Sequence, residues 1–224
     1  MNLLRIEALR EVQTLRSNRL QFLFGNAVLG SLFFGYRYLP ASGSGVQSGS
    51  DLVSFIAWVA LVATMTHSPA SFEGDINNGI IDRMALSQWS LRDFAFARSV
   101  TSMARAMLPV LFVVLLLRVL GQGLPRAGMA WLVVPASCAL GGAMGLLLSG
   151  VSLLVRPVAF LQLPLYMGFV AGFAYCQRFL GDSAGEQARL AGIIAACAAA
   201  LFIVGGLVFG WCERKAIALG TLKR

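Results

Sequence analysis

Few groups in this 224-residue chain are able to do chemistry: ten carboxylates, one histidine, two lysines and four cysteines. The carboxylates, Glu7, Glu11, Asp51, Glu73, Asp75, Asp82, Asp93, Asp182, Glu186 and Glu213, all lie outside the centres of the apolar stretches. An ion-driven carrier generally holds an ionisable or unwound polar site near the bilayer midplane, so this placement argues against a proton relay. The lysines, Lys215 and Lys223, stand outside any G-x-x-x-x-G-K-[ST] loop. The chain therefore has no phosphate cradle, and any ATP-driven work requires another subunit. Ser149, in LLLSG, lacks the G-x-S-x-G context, which argues against intramembrane proteolysis. Cys138, Cys176, Cys197 and Cys212 fall in apolar stretches without C-x-x-C pairing, indicating neither a metal knuckle nor a disulfide framework. His67 reads either as a haem or metal ligand or as a polar residue at the end of a span. The sequence thus assigns no catalytic residue and no metal site, and no cofactor to this chain.

The elements that carry these groups follow from composition. Apolar residues make up 58% of the chain and charged residues 12%, with a mean hydropathy of +0.75. So apolar a chain cannot stay solvated as a disordered segment, and it has too little polar surface for a cytosolic enzyme. Net charge is +8, but no block of five or more basic residues occurs, so nucleic-acid binding is not indicated. Six stretches are long enough to cross about 30 Å of hydrocarbon as helices. They lie near 20–38, 52–70, 99–120, 129–155, 158–179 and 190–212, separated by segments such as ASGSGVQSGSD, GQGLPRAG and GDSAGEQAR. The expected fold is an all-α membrane protein of six spans.

Basic residues orient the spans. One set of flanks holds thirteen: Arg5, Arg10, Arg16, Arg19, Arg83, Arg92, Arg98, Arg105, Arg156, Arg214, Lys215, Lys223 and Arg224. The other holds five: Arg37, Arg118, Arg126, Arg178 and Arg189. Both termini are expected in the cytoplasm, with the chain multi-pass in an inner membrane. The N-terminus lacks the apolar core and cleavage site of a signal peptide. Residues 1–18 instead place Leu4, Ala8, Val12 and Leu15 at helical spacing, with Glu7 and Arg10 off that stripe. This is either an amphipathic helix in the membrane interface or a solvated helix leading into the first span. Residues 19–212 form the span domain and 213–224 a cytoplasmic tail.

The most informative segment is the cytosolic connection 72–98, FEGDINNGIIDRMALSQWSLRDFAFAR. Ile76, Ile80, Ile81, Met84 and Leu86 recur near helical spacing, interrupted by Gly79 and flanked by Asp75, Asp82 and Arg83. A short helix exposing apolar residues to the cytosol wants a partner groove. The alternative is a helix docked against its own bundle, and composition alone leaves the two even.

The pattern F72-x-x-D75-x-x-x-G79-x-x-D82, with Ser87, Leu91, Arg98 and Pro109 beyond it, resembles the loop after the second span of type-2 ABC exporter permeases. It looks most like the haem exporter protein B family of cytochrome c maturation, whose short basic ending is similar to KAIALGTLKR. SQWSLRDF replaces the family's proline-rich stretch, and Arg156-Pro157 replaces its basic-Gly-Gly turn. The resemblance implies that the loop is a coupling helix seated in an ATP-binding subunit, where ATP and Mg would bind. Ile80, Met84 and Leu86 would be its apolar knob, with Asp75, Asp82 and Arg83 as the rim and Gly79 permitting the sharp start. It further implies a second permease chain, other cytochrome c maturation proteins as partners and haem as a possible cargo. Another ABC-2 cargo (lipid, polysaccharide, drug or peptide), or a non-transporting scaffold for a soluble ATPase, is the alternative.

Within the spans, small residues recur every four positions: Ala27, Ser31, Gly35; Gly141, Gly145, Ser149; Gly168, Gly172; and Gly206, Gly210. Such stripes let helix backbones approach, and packing within the chain is the default reading. Asn26, Gln162 and Tyr166 are candidate pathway-lining groups. Arg98 and Arg105, seven apart, share a helix face. For Arg105 three roles are open: snorkelling to the membrane surface, holding lipid head groups, or pairing with Asp93.

Overall fold

The computed structural model describes residues 3–20, 49–85, 87, 89–119, 131–155 and 184–219, and among these it is all helical. We number the helices α1 (Leu3–Ser17), α2 (Gly49–Asn77), α3 (Ile80–Ala85), α4 (Leu91–Val119), α5 (Val133–Val151) and α6 (Ala184–Ala218). Four of them, α2, α4, α5 and α6, are long and apolar enough to cross a membrane. They coincide with the second, third, fourth and sixth expected spans. The expected spans at 20–38 and 158–179, with Asn26, Gln162 and Tyr166, lie outside the described residues.

Helix α5 is the hub. It packs along α2 and α6 and also touches α4. Its small residues make this possible. A side-chain carbon added at Gly141 would stand 2.5 Å from the Leu61 carbonyl oxygen of α2, and one at Gly150 would stand 2.8 Å from the Phe209 Cα of α6. The stripe Gly141, Gly145 and Ser149 is thus used inside the chain. Gly206 and Gly210 have no atoms near the corresponding positions and lie off the α5 contact.

Two apolar clusters fill the bundle. One joins Val53, Ile56 and Ala60 of α2 to Val110 and Val113 of α4 and Val134 of α5. The other, at the α3 end, gathers Phe72, Ile81, Leu91, Leu146 and Phe209. Phe72 and Phe209 meet edge to face, 5.6 Å between centroids. Between the clusters the Ser68 hydroxyl lies 3.4 Å from that of Ser99 and 3.3 Å from that of Ser149. This fully buried serine junction ties α2, α4 and α5 at one level, each interhelical bond contributing about 0.6 kcal/mol.

The turn after α2 follows from a local rule. Gly79 adopts φ +67°, a left-handed conformation that a side chain disfavours, and α3 begins at the next residue. Helix α4 then starts on a capping box. The Ser90 N–H donates to Asp93 Oδ2 at 3.2 Å, and the Asp93 N–H donates to Ser90 Oγ at 3.1 Å.

Candidate functional site

Helix α1 presents Leu3, Glu7 and Glu11 on one face, because residues four apart stand above one another. This face is buried against the bundle, and the registration is stepwise. Leu3 packs with Phe94 and Ala97 of α4. Glu7 meets Arg98 of α4, whose guanidinium also reaches Asp75 of α2. Glu11 meets Arg105 of α4 and His67 of α2. Climbing α1 therefore climbs α4 and descends the sequence of α2. The helix runs parallel to α4 and antiparallel to α2, along their α3-side ends.

Two linked groups make up the resulting cluster. In the lower, Arg10 clamps Asp75 with both terminal nitrogens, at 2.8 and 2.5 Å, the fork geometry that suits guanidinium and carboxylate. Arg98 Nη2 donates to Asp75 Oδ2 at 2.7 Å and to Glu7 Oε1 at 3.4 Å. The Arg98 guanidinium carbon also stands 5.6 Å from the centre of the Phe72 ring. Arg98 is fully buried, while Glu7 and Asp75 are each 2% exposed. Among the described residues, Nε and Nη1 of Arg98 and Oε2 of Glu7 have no hydrogen-bond partner. Asp75 is thus the shared anion of two arginines from different helices.

The upper group is a triangle. Arg105 Nη1 donates to Glu11 Oε2 at 2.9 Å. His67 Nε2 is 3.0 Å from Glu11 Oε1 and 3.2 Å from Arg105 Nη1. That one ring nitrogen cannot satisfy both neighbours. Protonated, it donates to Glu11 and confronts an arginine donor; bare, it accepts from Arg105 and confronts a carboxylate. Burial raises the Glu11 carboxyl, but the hydrogen bond and charge of His67, then those of Arg105, outweigh it and hold the group down at about 2. The Arg10 guanidinium is held above its usual value, chiefly by its hydrogen bond to Asp75.

Three carboxylates balance three guanidiniums, with His67 as a seventh group. Replacing such a buried set by apolar side chains of similar volume is often neutral, whereas removing one member costs about 3–5 kcal/mol. Its physical consequence is therefore registration more than net stability: it clips α1, α2 and α4 together at defined levels.

Several sequence expectations need correction. Asp75 is not a rim residue of an exposed knob; it is buried, because two arginines converge on it. Arg105 pairs with Glu11 and His67, not with Asp93, whose carboxylate caps α4. The α1 stripe is not among these corrections: Leu4, Ala8 and Val12 are exposed and Leu15 half-buried, as on a helix lying in a membrane interface or in solvent, and the face turned to the bundle is the acidic one. Of the apolar positions after Gly79, Ile80 is 37% exposed, but Ile81 is buried in the bundle. Met84 is half-buried between two core clusters. The side chains of Asp82 and Arg83, and Leu86 altogether, lie outside the described residues.

Sequence reasoning passed over Glu7, Arg10 and Glu11. A signal for them existed: two carboxylates four apart on one helix complement Arg98 and Arg105 on one face of another. No group of three or more His, Cys, Asp or Glu side chains fit to hold a metal occurs among the described residues. Compared with known protein families, curated proteins and solved structures, the chain matches none.

Proposed function

We propose that this chain is the membrane permease subunit of an ATP-driven exporter, without a catalytic site of its own, and that its 72–98 segment receives the movement of a partner ATPase. The observation that carries this reading is mechanical. Helix α3 hangs between α2 and α4 below the spans, its exposed Ile80 beside the Gly79 turn. Directly behind it, Asp75 and Arg98 clip both flanking helices to α1. A displacement of α3 is delivered to two spans and the N-terminal helix at once, since buried charges do not part without a large cost. In this reading ATP and Mg bind to the partner subunit, two permease chains enclose the pathway, and both termini face the cytoplasm of an inner membrane. Haem handling for cytochrome c biogenesis is the narrower assignment that the loop pattern supports.

The test is co-purification with an ATPase and its stimulation by the permease. Ile80→Asp is expected to abolish the stimulation, because a charge in an apolar contact is left desolvated. Full association and undiminished stimulated hydrolysis in this variant would refute the coupling role. Unchanged c-type cytochrome levels in a deletion strain would remove the haem assignment.

A scaffold that recruits a soluble ATPase without transport is favoured by one observation: Ile81 and Met84 turn inward, so the exposed apolar contact is small. A complex whose ATP hydrolysis ignores every cargo, with nothing moved across vesicles, is the result that reading expects.

A further inference from the structure

Helices α4 and α6 make few contacts with each other, and a groove of about 250 Å³ opens between them beside the start of α4. Its walls are apolar: Phe96 of α4 faces Phe202, Ile203 and Leu207 of α6, and Leu146 of α5 forms the floor. Phe96 and Phe202 pack edge to face at 5.9 Å. Gly206 adds no bulk, and nothing stands within 4 Å of where its side chain would begin. The mouth is different in character. Arg92 and Asp93, in the first turn of α4, line it together. Both are exposed, and Arg92 makes no ion pair among the described residues. Asp93 uses Oδ2 to cap α4, which leaves Oδ1 available.

An apolar groove between membrane-spanning helices, with charge at the level where the span begins, has the polarity of a lipid: hydrocarbon inside, head group at the rim. The rim charge selects among lipids. One guanidinium beside one carboxylate is neutral overall and dipolar, which complements a head group bearing both a phosphate and a hydrogen-bonding ammonium. An anionic head group would meet the Asp93 carboxylate unfavourably. A quaternary ammonium would have no N–H to give it.

We propose that this groove binds one phospholipid with a zwitterionic, primary-ammonium head group, Arg92 meeting its phosphate, Asp93 its ammonium, and one acyl chain lying along Phe96, Phe202 and Leu207. The site stands apart from the charge cluster and does not depend on what the chain transports.

The experiment is native mass spectrometry of the full chain in micelles containing equimolar phosphatidylethanolamine, phosphatidylglycerol and phosphatidylcholine, with stepwise delipidation. One phosphatidylethanolamine per chain is expected to outlast the others. Arg92→Gln removes the phosphate partner, and Gly206→Leu fills the groove without touching the rim; each is expected to lower that retention at least fivefold. Asp93→Asn, which keeps a capping side chain on Ser90, is expected to shift retention to phosphatidylglycerol. Retention of the three lipids in proportion to the mixture would overturn the proposal, as would phosphatidylethanolamine retention unchanged in both Arg92→Gln and Gly206→Leu. Preferred phosphatidylglycerol on the unaltered chain would overturn the head-group assignment. If Gly206→Leu does not elute as folded protein, Arg92→Gln decides the matter alone.

Discussion

Replacing Asp75 by Asn is the most incisive perturbation of the charge cluster. The carboxylate is 2% exposed and accepts both terminal nitrogens of Arg10 and one of Arg98. Arg10 is partly exposed and can turn its charge to water, so its loss is modest. Arg98 cannot: it is fully buried, and Glu7 at 3.4 Å becomes its remaining carboxylate. Breaking a buried pair in this way costs about 3–5 kcal/mol, because an uncompensated charge is left in a medium of low polarity. Asp75→Asn is therefore expected to destabilise by about 3–5 kcal/mol, while Arg5→Gln on the exposed side of α1 stays within about 0.5 kcal/mol. The assay is denaturant unfolding in mixed micelles, followed by helical circular dichroism. Combining Asp75→Asn with Arg98→Met removes the orphaned charge, so the double variant should recover at least about 1 kcal/mol relative to the sum of the singles. A loss below about 1 kcal/mol for Asp75→Asn, or strict additivity in the cycle, would show that the two helices are not held by this pair.

Two further outcomes follow from the same geometry. The Glu11 carboxyl sits at about 2 against an ordinary 4.5, so its ionised form contributes stability that is complete above pH 4.5 and is lost as pH falls toward 2; the full contribution is about 3 kcal/mol, and Glu11→Gln should flatten that part of a pH titration of unfolding. Gly141→Val should lower the unfolding midpoint by the equivalent of about 1–3 kcal/mol, because a side chain 2.5 Å from the Leu61 carbonyl forces α2 and α5 apart, whereas Gly206→Ala meets no atom and should stabilise by about 0.5–1 kcal/mol.

The charge cluster also gives a physical role to residues that a hydropathy reading treats as flank. Arg98 and Arg105 count equally with Arg214 or Lys215 in orienting the chain, yet they end on opposite sides of an energetic divide. Arg98 is fully buried between two acids, and Lys215 stands over the exposed Trp211 ring, 4.7 Å from its centre. The clip formed by Arg98 lies immediately behind α3. It joins the two helices that flank α3, α2 and α4, to each other and to α1.

Those parts of the molecule that depend on neighbours in sequence were legible before any coordinates. The four candidate spans, α2, α4, α5 and α6, are runs of apolar residues long enough to cross a membrane, and hydrocarbon leaves a backbone no alternative to internal hydrogen bonding. The sharp entry to α3 was visible in Gly79, because a positive φ is a property of one residue. The small-residue stripe Gly141, Gly145 and Ser149 was visible too, though its partner helix was not. What tertiary structure alone decided is who meets whom. Glu7 and Arg98 are 91 positions apart, and Glu11 and Arg105 are 94. Helical periodicity shows that Glu7 and Glu11 share one face of their helix, and Arg98 and Arg105 one face of theirs; it says nothing about which helix that face meets, or which of several carboxylates an arginine will find. Those choices were made by the packing of α1 against α4, with ion pairs to α2, which turned Glu7 and Glu11 inward beside Leu3 and left Leu4, Leu9 and Val12 outside.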